Sequence, residues 1–119
     1  MDTIEEIEHN GSCHCGQIKF KITAPKKVIL EDCDCSICYR TGYLHLYVPQ
    51  NKLIIQGEEN LIKYQFGTNK ATHMFCKICG IKSFYIPRSD PTSYSVNFRC
   101  LDQSTFESYT IKAFDGKNY

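Results

Sequence analysis

The chain has 119 residues, 42% of them hydrophobic, and a formal net charge of +1, the length of one compact domain and the balance of an ordinary globular protein. These figures exclude a disordered chain, and they exclude the basic surplus that phosphate backbones attract, so nucleic acid is not an expected partner. No apolar run approaches the roughly 18 to 20 residues a membrane helix needs, and the acidic start (Asp2, Glu5, Glu6, Glu8) is unlike an export signal; a soluble, cytoplasmic protein without membrane contact is expected.

Residues 1–10 read as a charged N-terminal leader and residues 11–119 as a single domain. After the first cysteines, Gln17 to Thr23 alternates so that Ile18, Phe20 and Ile22 share one face, the pattern of a half-buried strand. Ala24-Pro25-Lys26-Lys27 interrupts it, and Val28-Ile29-Leu30 delivers the chain to Cys33. Leu44 to Val48, Leu53 to Ile55, Leu61 to Phe66 and Ala71 to Phe75 read as further short strands separated by turn residues. Ile81 to Ile86, Tyr94 to Phe98 and Thr110 to Phe114 complete the set, with Pro87 to Pro91 as a surface loop. No segment sustains a 3.6-residue apolar period, so the predicted class is mostly β with at most one or two short helices.

Eight cysteines in a chain without an export signal point to metal binding or catalysis rather than a disulfide framework. They are grouped as Cys13-His14-Cys15, as Cys33, Cys35 and Cys38, and as Cys76-Lys77-Ile78-Cys79, with Cys100 alone. Two thiolates one or two residues apart can bind one tetrahedral ion with little backbone strain, and two such pairs close a structural zinc site. Cys13, Cys15, Cys76 and Cys79 are therefore expected to hold a structural zinc that clamps distant parts of the sheet. Gly16 and Gly80, each directly after a pair, suit the tight turns that aim backbone amides at the sulfurs.

That leaves Cys33, Cys35 and Cys38, and three ligands with an open fourth position make a catalytic pattern. Cys100, His9, His14, His45 and His73 could complete it, and each has a plainer reading. Cys100 reads as a small buried hydrophobe, His14 as outward-facing, His45 as lying on the polar face of its strand, and His9 as part of the leader. His73, three residues before Cys76, could bond a ligand sulfur, assist proton transfer, or serve as a satisfied structural histidine.

Gly11-Ser12-Cys13-His14-Cys15-Gly16, the Cys33 to Cys38 block and His73-Met74-Phe75-Cys76-Lys77-Ile78-Cys79-Gly80 occur in this order. With Arg40, Gly42, Tyr64 to Gly67, Asn97 to Asp102 and the closing Phe114 to Tyr119, the chain resembles the glutathione-dependent formaldehyde-activating enzyme and centromere protein V family along almost its whole length. The resemblance implies a small tent of short antiparallel sheets carrying two zinc ions, one on Cys13, Cys15, Cys76 and Cys79, the other on Cys33, Cys35 and Cys38. It implies carbon–sulfur lyase chemistry, with a small thiol such as glutathione and formaldehyde or a related aldehyde as partners. An open three-thiolate zinc can take a substrate thiol and keep it deprotonated, but is a weak Lewis acid toward the aldehyde oxygen. His73, Arg40 and backbone amides around the triad are the candidate donors to that oxygen. The alternative is a non-catalytic, zinc-stabilised binding module of the centromere protein V type.

Overall fold

The computed structural model describes residues 5–116; the first part of the leader, with Asp2, and the closing Lys117-Asn118-Tyr119 lie outside the described residues. The strands are β1 (Glu6–Ser12), β2 (Lys19–Pro25), β3 (Lys27–Cys33), β4 (Leu44–Pro49), β5 (Leu53–Gln56), β6 (Leu61–Tyr64), β7 (Thr72–Cys76), β8 (Phe84–Ile86), β9 (Ser93–Asn97) and β10 (Ser108–Phe114). Among the described residues one α-helix, α1 (Ser36–Thr41), follows β3, and short 3-10 turns join several strands. The class is mostly β, as the alternating segments predict.

The strands form two sheets, a three-stranded one in the order β1-β2-β5 and a seven-stranded one in the order β10-β3-β4-β9-β8-β7-β6. Pairing is antiparallel except between β10 and β3, which run parallel with Phe114 opposite Cys33. Phe20, Ile22 and Ala24 of β2 point inward at alternate positions and meet Leu30, Leu46, Val48, Phe84 and Val96 from the larger sheet in one core. Phe20 and Phe84 touch edge to face across the sheets, with ring centroids 5.2 Å apart, a contact that adds about 1 kcal/mol to the burial of both rings.

Residues 6–10, read from their charge as leader, are most of β1 and pair with β2 from Glu6 opposite Pro25 to Asn10 opposite Lys21. His9 is buried there, stacked on Phe106 at 3.9 Å, with ring nitrogens 2.7 Å from Thr105 Oγ1 and 3.0 Å from the Ala24 carbonyl. No helix among the described residues is long and apolar enough to cross a membrane.

Candidate metal centre

The two cysteine pairs meet where the sheets meet. Cys13 and Cys15 lie in the turn between β1 and β2, Cys76 ends β7, and Cys79 follows in the next turn. Their four sulfurs lie within 4.8 Å of one another, with 3.6 Å between Cys13 and Cys15 and 3.5 Å between Cys15 and Cys76. Sulfurs at zinc–thiolate distance from a common tetrahedral centre are about 3.8 Å apart, so the set fits such an ion. The amides of Ile18 and Ile78 donate to Cys13 Sγ and Cys76 Sγ, each at 3.4 Å. Gly16 and Gly80 take φ of 82° and 77°, the left-handed conformation the turns require and that side chains disfavour.

The second cluster stands at the end of β3. Cys33 closes that strand, Cys35 caps α1 and Cys38 sits on its buried side; the three sulfurs lie within 4.8 Å of one another. No fourth His, Cys, Asp or Glu ligand atom joins them among the described residues. Burial pushes the Cys33 and Cys38 thiols up, and the Cys35 sulfur adds to the rise of both, while the Cys35 amide and the Cys38 thiol pull Cys33 back. Cys35 moves down: burial opposes it, but the Cys38 amide, hydrogen bonds from the Cys38 and Cys33 thiols and the Ile37 amide together outweigh it. Three thiolates this close are stable together only around a cation, and the donor set suits a soft or borderline metal.

A cavity of about 410 Å³ opens on the triad, with Tyr47, Phe66, His73, Tyr85, Arg88 and Gly116 in its wall. Gly116 leaves no room for a side chain, because a Cβ there would overlap Cys33 Sγ and lie 2.9 Å from Cys35 Cβ. His73, on β7, is pinned between the rings of Tyr85 and Phe66 at 4.8 and 5.4 Å. Behind it Lys82, 4% exposed, brings Nζ to 2.8 Å from His73 Nδ1 and 3.8 Å from the centre of the Tyr85 ring. Burial pulls the Lys82 ammonium down to about 8, while Cys38, Cys35 and Cys33 pull it back up. Burial, then the Lys82 charge, brings His73 down to about 4, so its imidazole is neutral at neutral pH.

The other sequence candidates fall elsewhere. Arg40 is exposed, does not line the cavity, and donates to the Ser36 carbonyl of its own helix at 2.9 Å; two residues along a helix is a rotation of about 200° from Cys38. His14 is exposed, as expected, and Cys100 belongs to neither cluster. His45, expected on a polar face, is only 1% exposed. Its strand runs through the middle of the larger sheet, and the second face is covered by Tyr43 and Tyr85, at 4.5 and 5.7 Å from the His45 ring. Its Nδ1 lies 2.6 Å from Ser95 Oγ. Lys82, Tyr85 and Arg88 carried no sequence signal beyond lying in or just after the strand predicted at Ile81 to Ile86.

The model of the family described as glutathione-dependent formaldehyde-activating enzyme matches residues 8–114. A Halomonas elongata protein provisionally named glutathione-dependent formaldehyde-activating enzyme is 33% identical over 78 residues, 58% of this chain and 50% of that protein. The chain thus spans about half the length of this curated relative. The crystal structure of a Rhodobacter sphaeroides protein is similar with a TM-score of 0.70 and 33% identity, covering 85% of this chain and 99% of the other. Two metal-competent cysteine clusters on a mostly β fold, and a family match that takes in both, place the chain in the glutathione-dependent formaldehyde-activating enzyme family.

Proposed function

We propose that the chain is a zinc-dependent carbon–sulfur lyase that joins a small thiol, glutathione being the one its family is named for, to formaldehyde or a related small aldehyde, and that reverses the same step. The observation that carries this reading is the Cys33, Cys35 and Cys38 cluster, three ligands with no fourth among the described residues, opening on a cavity. Zinc held there supplies a fourth position in which a thiol stays deprotonated near neutral pH. The structural ion belongs to Cys13, Cys15, Cys76 and Cys79.

The chain's own residues do the rest. Tyr47, Phe66 and Tyr85 wall the cavity and exclude water from the aldehyde carbon, and a carboxylate-bearing thiol meets Arg88 at the same wall. The sulfur–carbon bond forms as the carbonyl π pair moves to oxygen, and that oxygen gains one proton for the one the thiol lost, with no oxidant or reductant involved. His73 stands at the cavity as the hydrogen-bond donor to that oxygen; Arg40, on the far side of its helix, does not take part.

Native mass spectrometry of the zinc-loaded protein with glutathione and formaldehyde tests this. Two zincs in the wild type, one in a folded Cys35→Ser variant, and a thiol adduct only in the wild type are expected, with the thiol-dependent loss of formaldehyde abolished in the variant. Two zincs with no thiol binding and no turnover in the wild type would leave the binding-module reading in its place.

A further inference from the structure

We propose that Lys82 is a positioning residue that fixes His73 as its Nε2–H tautomer, so that the ring can serve the cavity only as a hydrogen-bond donor. An ammonium has hydrogens to give and no lone pair to accept, so across the 2.8 Å contact Lys82 Nζ donates and His73 Nδ1 accepts. A neutral imidazole with Nδ1 accepting carries its proton on Nε2. The stacked rings of Tyr85 and Phe66 oppose a flip of the imidazole, and a flip would turn a ring carbon toward Lys82.

The arrangement is the reverse of the familiar one. A histidine that acts as a base has its other nitrogen donating to a carboxylate or carbonyl, which leaves a lone pair facing the substrate. Here the supporting group is a cation, and it selects the opposite polarity. His73 therefore cannot accept the thiol proton through Nε2; it is a neutral donor suited to an oxygen that gains charge as a bond forms at the adjacent carbon. Lys82 itself stays out of the cavity wall. It is held among ring faces, with the Tyr85 and Tyr43 centroids 3.8 and 5.0 Å from Nζ, on a side chain too buried to be there for solubility.

The functional consequence rests on the thiol–aldehyde reading, and it narrows the substrate class to sulfur compounds with an oxygen on the carbon bonded to sulfur. The tautomer does not rest on it. The test is the two-bond proton–nitrogen correlation spectrum of the zinc-loaded full chain labelled with ¹⁵N-histidine, with His73 assigned by its loss in a His73→Gln variant. The wild type should show His73 protonated on Nε2 and bare on Nδ1. Lys82→Met should keep two zincs per chain and move His73 to a mixed or Nδ1–H form. Its kcat should fall about 10- to 100-fold with the thiol KM within about twofold, less than the full 100- to 10,000-fold that side-chain proton transfer supplies. A wild-type His73 carrying its proton on Nδ1, or a tautomer unmoved in Lys82→Met, would overturn the proposal whether or not the variant turns over. The expected tautomer in a protein that neither binds a thiol nor consumes an aldehyde would sink the lyase reading alone.

Discussion

Gly116→Ala isolates the triad from the rest of the molecule. The added methyl would overlap Cys33 Sγ and approach Cys35 Cβ to 2.9 Å and Cys35 N to 3.0 Å, where carbon atoms in contact prefer about 3.5–4.0 Å. Gly116 is not in the left-handed region, so alanine strains nothing in the backbone and the cost is one of space. Overpacking by a methyl costs about 1–3 kcal/mol. Because the crowded atoms are a ligand sulfur and its neighbour, that cost should fall on metal binding at the triad, a loss of about 5- to 150-fold in affinity at about 1.4 kcal/mol per tenfold. Chelator competition, followed by native mass spectrometry to count zincs at each chelator concentration, reads both sites in one experiment. The second zinc should leave the variant at lower chelator concentration, while the ion of Cys13, Cys15, Cys76 and Cys79 is held as in the wild type. Triad affinity within about twofold of wild type would show that Gly116 does not bear on the ligands, and the reasoning would fail.

The two clusters should respond differently to loss of a ligand. Cys76→Ser removes the clamp between the sheets, and since a structural zinc contributes about 10–16 kcal/mol, as much as a small domain's whole stability of about 5–15 kcal/mol, the expected outcome is loss of β circular dichroism and of both metals; a folded variant retaining the triad zinc would contradict it. Stability should fall with acid partly through His45, whose imidazole is brought down to about 3 by burial, then by Lys82 and His73. Below the unfolded value of 6.5 the unfolded chain takes up a proton that folded His45 refuses until about pH 3, so this contribution is complete above pH 6.5 and is lost as pH falls through that window. Urea titrations of the zinc-loaded protein at pH 5, 6 and 7 should give His45→Asn a slope shallower by up to about 1.4 kcal/mol per pH unit, and parallel slopes would count against it.

The strands were legible because burial on one face writes a period of two, as at Ile18, Phe20 and Ile22. The cysteine partition was legible because bite distance is a local property of the chain. β1 was obscured by Glu6 and Glu8, although the same residues alternate with Ile7 and His9 and so carried the signal. His45 was misplaced because alternation presumes a wet face, and the middle of a seven-stranded sheet has none here. Arg40 attracted notice by lying two residues from a ligand, where a helix turns it away; Lys82, just before β8, and Arg88, in the turn just after it, are brought to the site by the tertiary fold, which no local pattern encodes. A lysine in a strand is read as exposed by default, which hid the one that touches His73.

The parallel pairing of β10 with β3 also bears on how the protein is made. Cys33, Cys35 and Cys38 leave the ribosome well before the strand that lies beside Cys33 and the glycine packed on its sulfur. Pairing over such a sequence separation is slow to form, and domains assemble as their segments emerge. On the proposed assignment, all four ligands of the clamp are available once Cys79 has been synthesised, so a nascent chain can take up a structural ion while the Cys33, Cys35 and Cys38 thiols still lack a finished pocket. Maturation then has an order, scaffold metal before working metal, and zinc shortage during synthesis should yield folded chains with one ion rather than a mixture of empty and full ones.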